Sequence, residues 1–410
     1  MNMLQRLYKK TVLGILSGMD KGKLTVTLPD GEQMEIGKDE TFTASLHIHS
    51  ENIWKRIVLY GDIGFAEGYL AEEWDTDDLT GLLKWFIYNL EKVPGVSGSS
   101  SNARWMNALQ WVNRIWHIRR ENSISGSREN IREHYDLSNK FFSLFLDDTM
   151  TYSSGLFIEG TEALKDAQLN KYESLCLRAG IKPGDRVLEI GTGWGGFATY
   201  AAKNFGANVT TVTISEEQFK HATRLVQEQG LSDKVTILLK DYRLIEGVFD
   251  KVVSIEMIEA VGAKYLKAYF QKIHEVLKPD GVLALQAIIC PDSRFDQLKR
   301  KVDFIQKHIF PGSLLPSVAA INESINATGD MFLFNLKDMG KSYAKTLATW
   351  KAAFNAHLPE VQDLGFDNMF IRKWNYYFSY CEAAFDMRNI NVVQMIYTRP
   401  NNFAYDVKLK

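Results

Sequence analysis

What this chain has little of narrows its class first. Three cysteines, Cys176, Cys290 and Cys381, are too few and too scattered for a disulfide framework, and none forms the C-x-x-C pair that zinc sites use. The expectation is a reducing cytosol and no metal. No run reaches the roughly 18 to 20 apolar residues of a membrane span. The N-terminus lacks the apolar core and small-residue cleavage site of a signal peptide, so any membrane is expected to be met from one side. Charge excess is also missing: 48 Lys plus Arg stand against 50 Asp plus Glu, a net charge of −2, and no nucleic-acid partner is expected. There is no internal repeat at the periods of solenoids or propellers, and the only low-complexity run is PGVSGSSS at 94–101.

What is present is ordinary globular material, 45% hydrophobic and 24% charged, and at 410 residues two domains are the default. The low-complexity run suggests an α+β N-terminal domain at 1–93, a linker with an amphipathic helix at 94–124, and a larger domain at 125–410. Segment 23–36 alternates apolar and polar residues around Pro29-Asp30-Gly31 and predicts a β-hairpin, followed by a strand at SLHIHS. The stretch 82–90 is apolar around nearly its whole circumference, which predicts a helix that is either buried or in contact with a membrane. Residues 104–120 place Trp105, Leu109, Val112 and Trp116 on one side with Arg104, Arg114, Arg119 and Arg120 nearby, a pattern suited to a lipid interface.

From about residue 165 helices alternate with short apolar strands: RVLEIG, NVTTVTI, KVTILLK, KVVSIE and GVLALQAII. That alternation predicts an α/β fold with a mainly parallel, doubly wound sheet and a ligand at the carboxyl ends of the strands. The first strand runs into Gly191-Thr192-Gly193-Trp194-Gly195-Gly196 and a helix, placing exposed backbone N–H groups where a nucleotide-like cofactor would lie. The same glycines satisfy the G-x-G-x-x-G of dinucleotide enzymes. Glu189, two residues before the first glycine, favours S-adenosylmethionine. So does a second strand ending Thr211-Val212-Thr213-Ile214-Ser215 without an acid, although Glu216 and Glu217 follow closely. Asp241 and Tyr242, after KVTILLK, are placed to meet the edge and face of an adenine.

Several ordered segments carry a family likeness: HYDLSNKFFSLFLDDTMTYSSGLF at 134–157, EIGTGWGGFA, TVTISEEQ, DYR, EMIEAVG at 256–262 and IFPGSLLPS at 309–317. Together they resemble the cyclopropane-fatty-acid and mycolic-acid synthases over about 125–400, and the segment IWKRIVLYGDIGFAEGYLAEEWDTDDLTGLLKWF resembles the accessory domain of full-length members. The resemblance implies a Rossmann-like class I methyltransferase that adds a methylene unit from S-adenosylmethionine to the cis double bond of acyl chains in phospholipid. It implies peripheral attachment to the inner face of a membrane and leaves a homodimer open. By position it implies cofactor contacts at Tyr135, Tyr152, Ser153, Gly191, Gly193, Thr213, Gln218, Asp241 and Tyr242, with Trp194, Gly195, Ile214 and Ser215 in the same motifs. It implies a bicarbonate ion acting as base, held by Ser154, Glu259, Gln286, the backbone of Ile288, and Tyr343, and it aligns Cys381 with a cysteine often taken as the active-site residue. Many bacterial members have Cys at Ser154 and His at Gln286, and Ala260 replaces a usual His. EMIEAVG looks more like the plant-type subgroup.

The chemistry so implied makes definite demands. An isolated alkene is a poor nucleophile, so its π-bond must be held in line with the sulfonium methyl group and water kept from the resulting cation. A base must then reach the migrating carbon. Glu259, after a strand end, suits that base or its orientation, and the phenol of Tyr343 suits an anion. Direct methyl transfer to carbon needs no covalent enzyme intermediate, which favours packing over nucleophilic attack for Cys381. Competing readings are a methylene or methyl branch formed from the same cation, a methyltransferase for soluble substrates, and a lipid-binding module without activity.

Overall fold

Residues 3–90 and 137–407 are described by the computed structural model. The linker at 94–124, the Trp- and Arg-rich segment 104–120 and Tyr135 lie outside the described residues. Chain contacts divide the described residues into two units: 3–90 with 296–311 and 355–389, and 137–295 with 312–354 and 390–407.

In the first unit, Gly31 takes φ 87°, the left-handed geometry that the Asp-Gly turn requires, and donates its N–H to the Leu28 carbonyl at 2.9 Å. The turn joins β1 (Lys23–Thr27) to β2 (Gln33–Ile36) as the expected antiparallel pair, with Thr27 opposite Gln33. Alternation along β1 buries Leu24 and Val26 and leaves their neighbours half-buried. β3 (Thr43–Ile48) adds to β1 in parallel, and β4 (Trp74–Asp75) closes the order β2-β1-β3-β4.

The helix Leu79–Tyr88 settles the reading of the apolar stretch: Leu82, Leu83 and Trp85 are buried, and the helix packs against the helix Asn368–Asp386. Thr80 Oγ1 donates to Glu382 Oε2 at 3.0 Å, and Lys84 pairs with Asp386 at 2.6 Å. It is therefore a core helix. With this packing, residues 355–389 fall in the first unit by chain contacts.

The second unit is the expected α/β fold. Its seven strands are β5 (Arg186–Ile190), β6 (Asn208–Thr213), β7 (Val235–Leu239), β8 (Phe249–Ile255), β9 (Leu277–Ile289), β10 (Phe332–Asp338) and β11 (Asn391–Thr398). They run in the order β10-β11-β9-β8-β5-β6-β7, parallel from β9 to β7, with β11 and β10 added antiparallel at one side. The central strands are buried on both faces, with Leu188, Val252, Leu283 and Leu285 fully enclosed. After β5 the chain moves outward to β6 and β7 and then returns to the other side of β5 as β8. The strand order thus reverses between β5 and β8, opening a crevice at their carboxyl ends.

Replacing the fully enclosed Leu82 with Ala should lower stability by about 2 to 5 kcal/mol through lost burial and the cavity left behind. The denaturant midpoint of the protein in the absence of lipid is the measurement. An unchanged midpoint would mean that the helix contributes no core packing.

Candidate active site

β5 ends in a turn that only glycine makes without strain: Gly191, Gly193 and Gly195 take φ 104°, 51° and 95°. A side chain at Gly191 would come within 3.2 Å of Met257 Cγ, so this turn lies against the segment that follows β8. At Gly193 the position of a Cβ meets nothing within 4 Å, and backbone is left open beside the crevice. A glycine cradle open on one side at the carboxyl edge of a parallel sheet fits the nucleoside and methionine parts of S-adenosylmethionine.

Around this turn the other expected cofactor residues mostly fix one another. Thr213 Oγ1 donates to Gln218 Oε1 at 2.8 Å, and Ser215, which follows Ile214, caps the helix Glu216–Glu228 by accepting the Gln218 N–H. Trp194 donates its indole N–H to Asn139 Oδ1 at 2.7 Å and packs on Phe142, tying the turn to residues 139–142. The Tyr152 ring sits between Phe142 and Trp350 at 5.3 and 5.2 Å. Both carboxylate oxygens of Asp241 are gripped by the Arg243 guanidinium at 2.8 and 2.7 Å, and the Tyr242 phenol is pushed up to about 12 by burial. Glu189 accepts from Thr211 Oγ1 at 2.5 Å within the sheet, and burial pushes its carboxyl up to about 8.

Beyond the turn lies a buried polar cluster. Register places Gln286 on β9 beside Ile255 at the end of β8 and directly opposite Gln394 on β11. Both amides are wholly buried, so each must be satisfied by protein. Ser174 Oγ donates to Gln394 Oε1 at 2.8 Å, Gln394 Nε2 donates to Gln286 Oε1 at 3.0 Å, and Gln286 Nε2 donates to Glu256 Oε1 at 2.7 Å. The Ser154 N–H reaches the same oxygen at 2.9 Å, and the Tyr343 hydroxyl also donates to this carboxylate. The Ser154 hydroxyl turns to the Gly155 carbonyl instead. Lys171, fully buried, donates to Ser153 Oγ at 2.7 Å and Gln168 Oε1 at 2.6 Å. Burial lowers its ammonium to about 7 against the pull of Glu256.

Three of the five residues expected to hold an anion, Ser154, Gln286 and Tyr343, thus converge on a carboxylate of the chain itself. Glu259 is next to them in sequence, on the turn Ile258–Ala260, where Oε1 accepts the Ile288 N–H at 2.5 Å. Its Oε2 is buried without a hydrogen-bond partner, and burial followed by the charge of Glu256 pushes the carboxyl up to about 8. Cys381 belongs to the first unit, on the helix Asn368–Asp386. Desolvation holds its thiol well above the usual range, which leaves it protonated and unsuited to nucleophilic attack. Sequence reasoning missed Glu256, although its place at the carboxyl end of the strand KVVSI was a usable signal. Nothing in the local pattern distinguished Lys171 or Gln394. Among the described residues no cluster of His, Cys, Asp and Glu could hold a metal ion.

Glu259 also has a consequence for stability. With its folded value near 8 above its unfolded one near 4.5, the neutral carboxyl's contribution is fully present below pH 4.5 and is lost as pH rises through 8. The wild type should therefore lose melting temperature between about pH 5 and 8, and Glu259→Gln, which cannot ionise, should flatten that fall. Parallel slopes in thermal melts across that window would remove Glu259 as their source.

Comparison with known proteins agrees with this geometry. Residues 122–395 match the family model described as mycolic acid cyclopropane synthetase. The chain is 37% identical over 363 residues to the tuberculostearic acid methyltransferase UfaA1 of Mycobacterium tuberculosis, covering 85% of this chain and 82% of that protein. It is 34% identical over 366 residues to the cyclopropane-fatty-acyl-phospholipid synthase of Escherichia coli, covering 87% and 88%. A crystal structure of the mycolic acid cyclopropane synthase CmaA1 complexed with SAH and CTAB superposes with a TM-score of 0.62 at 30% identity, covering 66% of this chain and 98% of that one. A coclaurine N-methyltransferase bound to SAH shares the class I fold at 18% identity and a TM-score of 0.61. The chain belongs to the mycolic acid cyclopropane synthetase family and is an S-adenosylmethionine-dependent C-methyltransferase.

Proposed function

We propose that the protein adds a one-carbon unit to the cis double bond of unsaturated acyl chains in phospholipid and closes a cyclopropane ring. The observation that carries this reading is the pair of acids, half-buried Glu256 and buried Glu259, set against the glycine turn, with Gly191 and Met257 in contact range. The proton lost by an amine or hydroxyl acceptor can pass to water, so such a methyltransferase does not require its base to be shielded from solvent. Alkylation of an alkene leaves a carbocation that must lose a proton away from water. When bound, S-adenosylmethionine supplies an electrophilic methyl group. The chain's own part is to hold the acyl chain, exclude water and receive the proton.

A second reading, a methylene or methyl branch, is favoured by the 37% identity to a tuberculostearic acid methyltransferase, and differs only in which carbon is deprotonated. The lipid surface is proposed to be met by the segment 104–120, on its pattern of Trp105 and Trp116 with four arginines, from the cytoplasmic side and as a peripheral contact. The identity to a phospholipid-acting enzyme supports the same substrate class. No helix among the described residues is long and apolar enough to cross a membrane.

Two measurements test this. Lipids from a host expressing the gene with methyl-labelled methionine should carry label in acyl chains that mass spectrometry identifies as cyclopropanes. Label confined to branched chains selects the second reading, and unlabelled lipid rejects both. Gly193→Val, placing a branched side chain at φ 51°, should abolish S-adenosylmethionine binding in calorimetry while circular dichroism remains that of the folded protein. Undiminished binding in that folded variant would remove the turn as the cofactor site.

A further inference from the structure

We propose that the carboxylate of Glu256 is itself the base that takes the proton from the alkylated acyl chain, standing where a bicarbonate ion was expected. This inference rests on the reading above that the site deprotonates a carbocation.

The geometry around Glu256 is that of an occupied anion site. The Ser154 N–H, the Gln286 amide and the Tyr343 hydroxyl all donate to its carboxylate, and they belong to three of the residues expected to hold an exogenous anion, Ser154 contributing its backbone in place of its hydroxyl. The amide relay has a fixed sense. Because the Lys171 carbonyl can only accept, Gln394 turns its NH2 to it and to the oxygen of Gln286, so the NH2 of Gln286 faces Glu256 and the Ser154 carbonyl, and what it faces must accept. A second anion brought to the same donors would meet a carboxylate already there, in a place where charge repulsion is poorly screened.

The backbone adds an independent observation. Glu256 takes φ 48°, in the left-handed region that glycine tolerates and a glutamate adopts at a cost. Its N–H donates to the Gln286 carbonyl at 2.8 Å, so the strained conformation holds the end of β8 in register while the side chain turns back to the amide of the same residue. Strain kept at a half-buried acid at the carboxyl edge, next to the glycine turn and held by three donors, marks a functional constraint. Lys171 lies close enough in this buried region to act electrostatically on Glu256 and offsets its charge, while desolvation raises its affinity for a proton. Glu259 has one oxygen on the Ile288 N–H and is met by none of the three donors that converge on Glu256, so geometry favours Glu256 as the acceptor.

The step balances without an outside reactant. The alkene π pair forms the new C–C bond to the methyl carbon as the S–C bond breaks with its pair going to sulfur. One C–H bond of that methyl group then gives its pair to the cationic carbon, closing the ring, and the proton passes to a Glu256 oxygen.

The test uses the full-length protein, vesicles of unsaturated phosphatidylglycerol, methyl-labelled S-adenosylmethionine and buffer purged of carbonate. Wild type should turn over at full rate and gain nothing from added bicarbonate. Glu256→Gln should lose about a hundredfold or more in kcat, within the range that general-base catalysis contributes, with cofactor affinity unchanged. Glu256→Gly relieves the backbone at φ 48°, which offsets part of the cost of leaving the Ser154, Gln286 and Tyr343 donors unmatched, and circular dichroism checks that it folds. It should be equally slow, yet regain activity when bicarbonate is supplied to the vacated donors. That rescue would not follow if Glu256 merely supported the fold. A wild type that stalls without carbonate overturns the proposal. So does a folded Glu256→Gln retaining more than about a tenth of the rate, or a folded, cofactor-binding Glu256→Gly that bicarbonate does not restore. Should the wild type place no label in lipid under any of these conditions, it is the proposed function that fails.

Discussion

An ionised carboxylate taken out of water must be met by donors and positive charge, or give up its charge. Much of the second unit's centre is arranged around that requirement at Glu256. A wholly buried glutamine on each of two neighbouring strands is costly in an otherwise apolar sheet, and each is tolerated because the pair passes its donors in one direction. The antiparallel addition of β11 to β9 is what puts Gln394 opposite Gln286. Lys171, on the helix Leu164–Ala179, contributes the balancing charge from outside the sheet. Removing any one member would leave a buried polar group unmatched, so the cluster constrains sheet, helix and turn together.

The cofactor end and the reacting end meet at the point where the strand order reverses. β5 delivers the glycine turn and β8 delivers Glu256, and the two strands are neighbours in the sheet. The close approach of Gly191 to Met257 couples them mechanically, since the residue that would clash with a larger side chain in the turn is covalently next to Glu256. Donor placement and proton acceptance are thereby fixed by one piece of rigid sheet instead of by separate loops.

The α/β architecture was legible because each signal was local: period-2 and period-3.6 hydrophobicity, glycines after an apolar strand, and an Asp-Gly turn in the hairpin. The site was legible only in part. Ser154, Gln286, Tyr343, Glu259 and Ile288 came from family motifs, and the structure brings the first three together and joins the last two. The residue they surround, Glu256, stood inside the quoted EMIEAVG, yet which of two acids three residues apart faces the donors depends on one backbone angle that no pattern encodes. Gln394 was invisible for another reason, because its partner is 108 residues away and the pairing follows from strand register. The apolar helix at 79–88 likewise announces that it needs a partner without naming the helix Asn368–Asp386 that supplies it.

That long-range partnership governs how the protein is made. The ribosome delivers β1 to β4 and the helix Leu79–Tyr88 nearly three hundred residues before the helix that covers them emerges. At usual synthesis rates that interval lasts about 15 to 60 seconds, during which the apolar face of the nascent N-terminal segment has no native cover. The second unit's sheet faces the same delay, since β11 follows residues 355–389. Neither unit can complete itself from a continuous stretch of nascent chain. A wait for native cover during synthesis is therefore built into the way this chain is threaded.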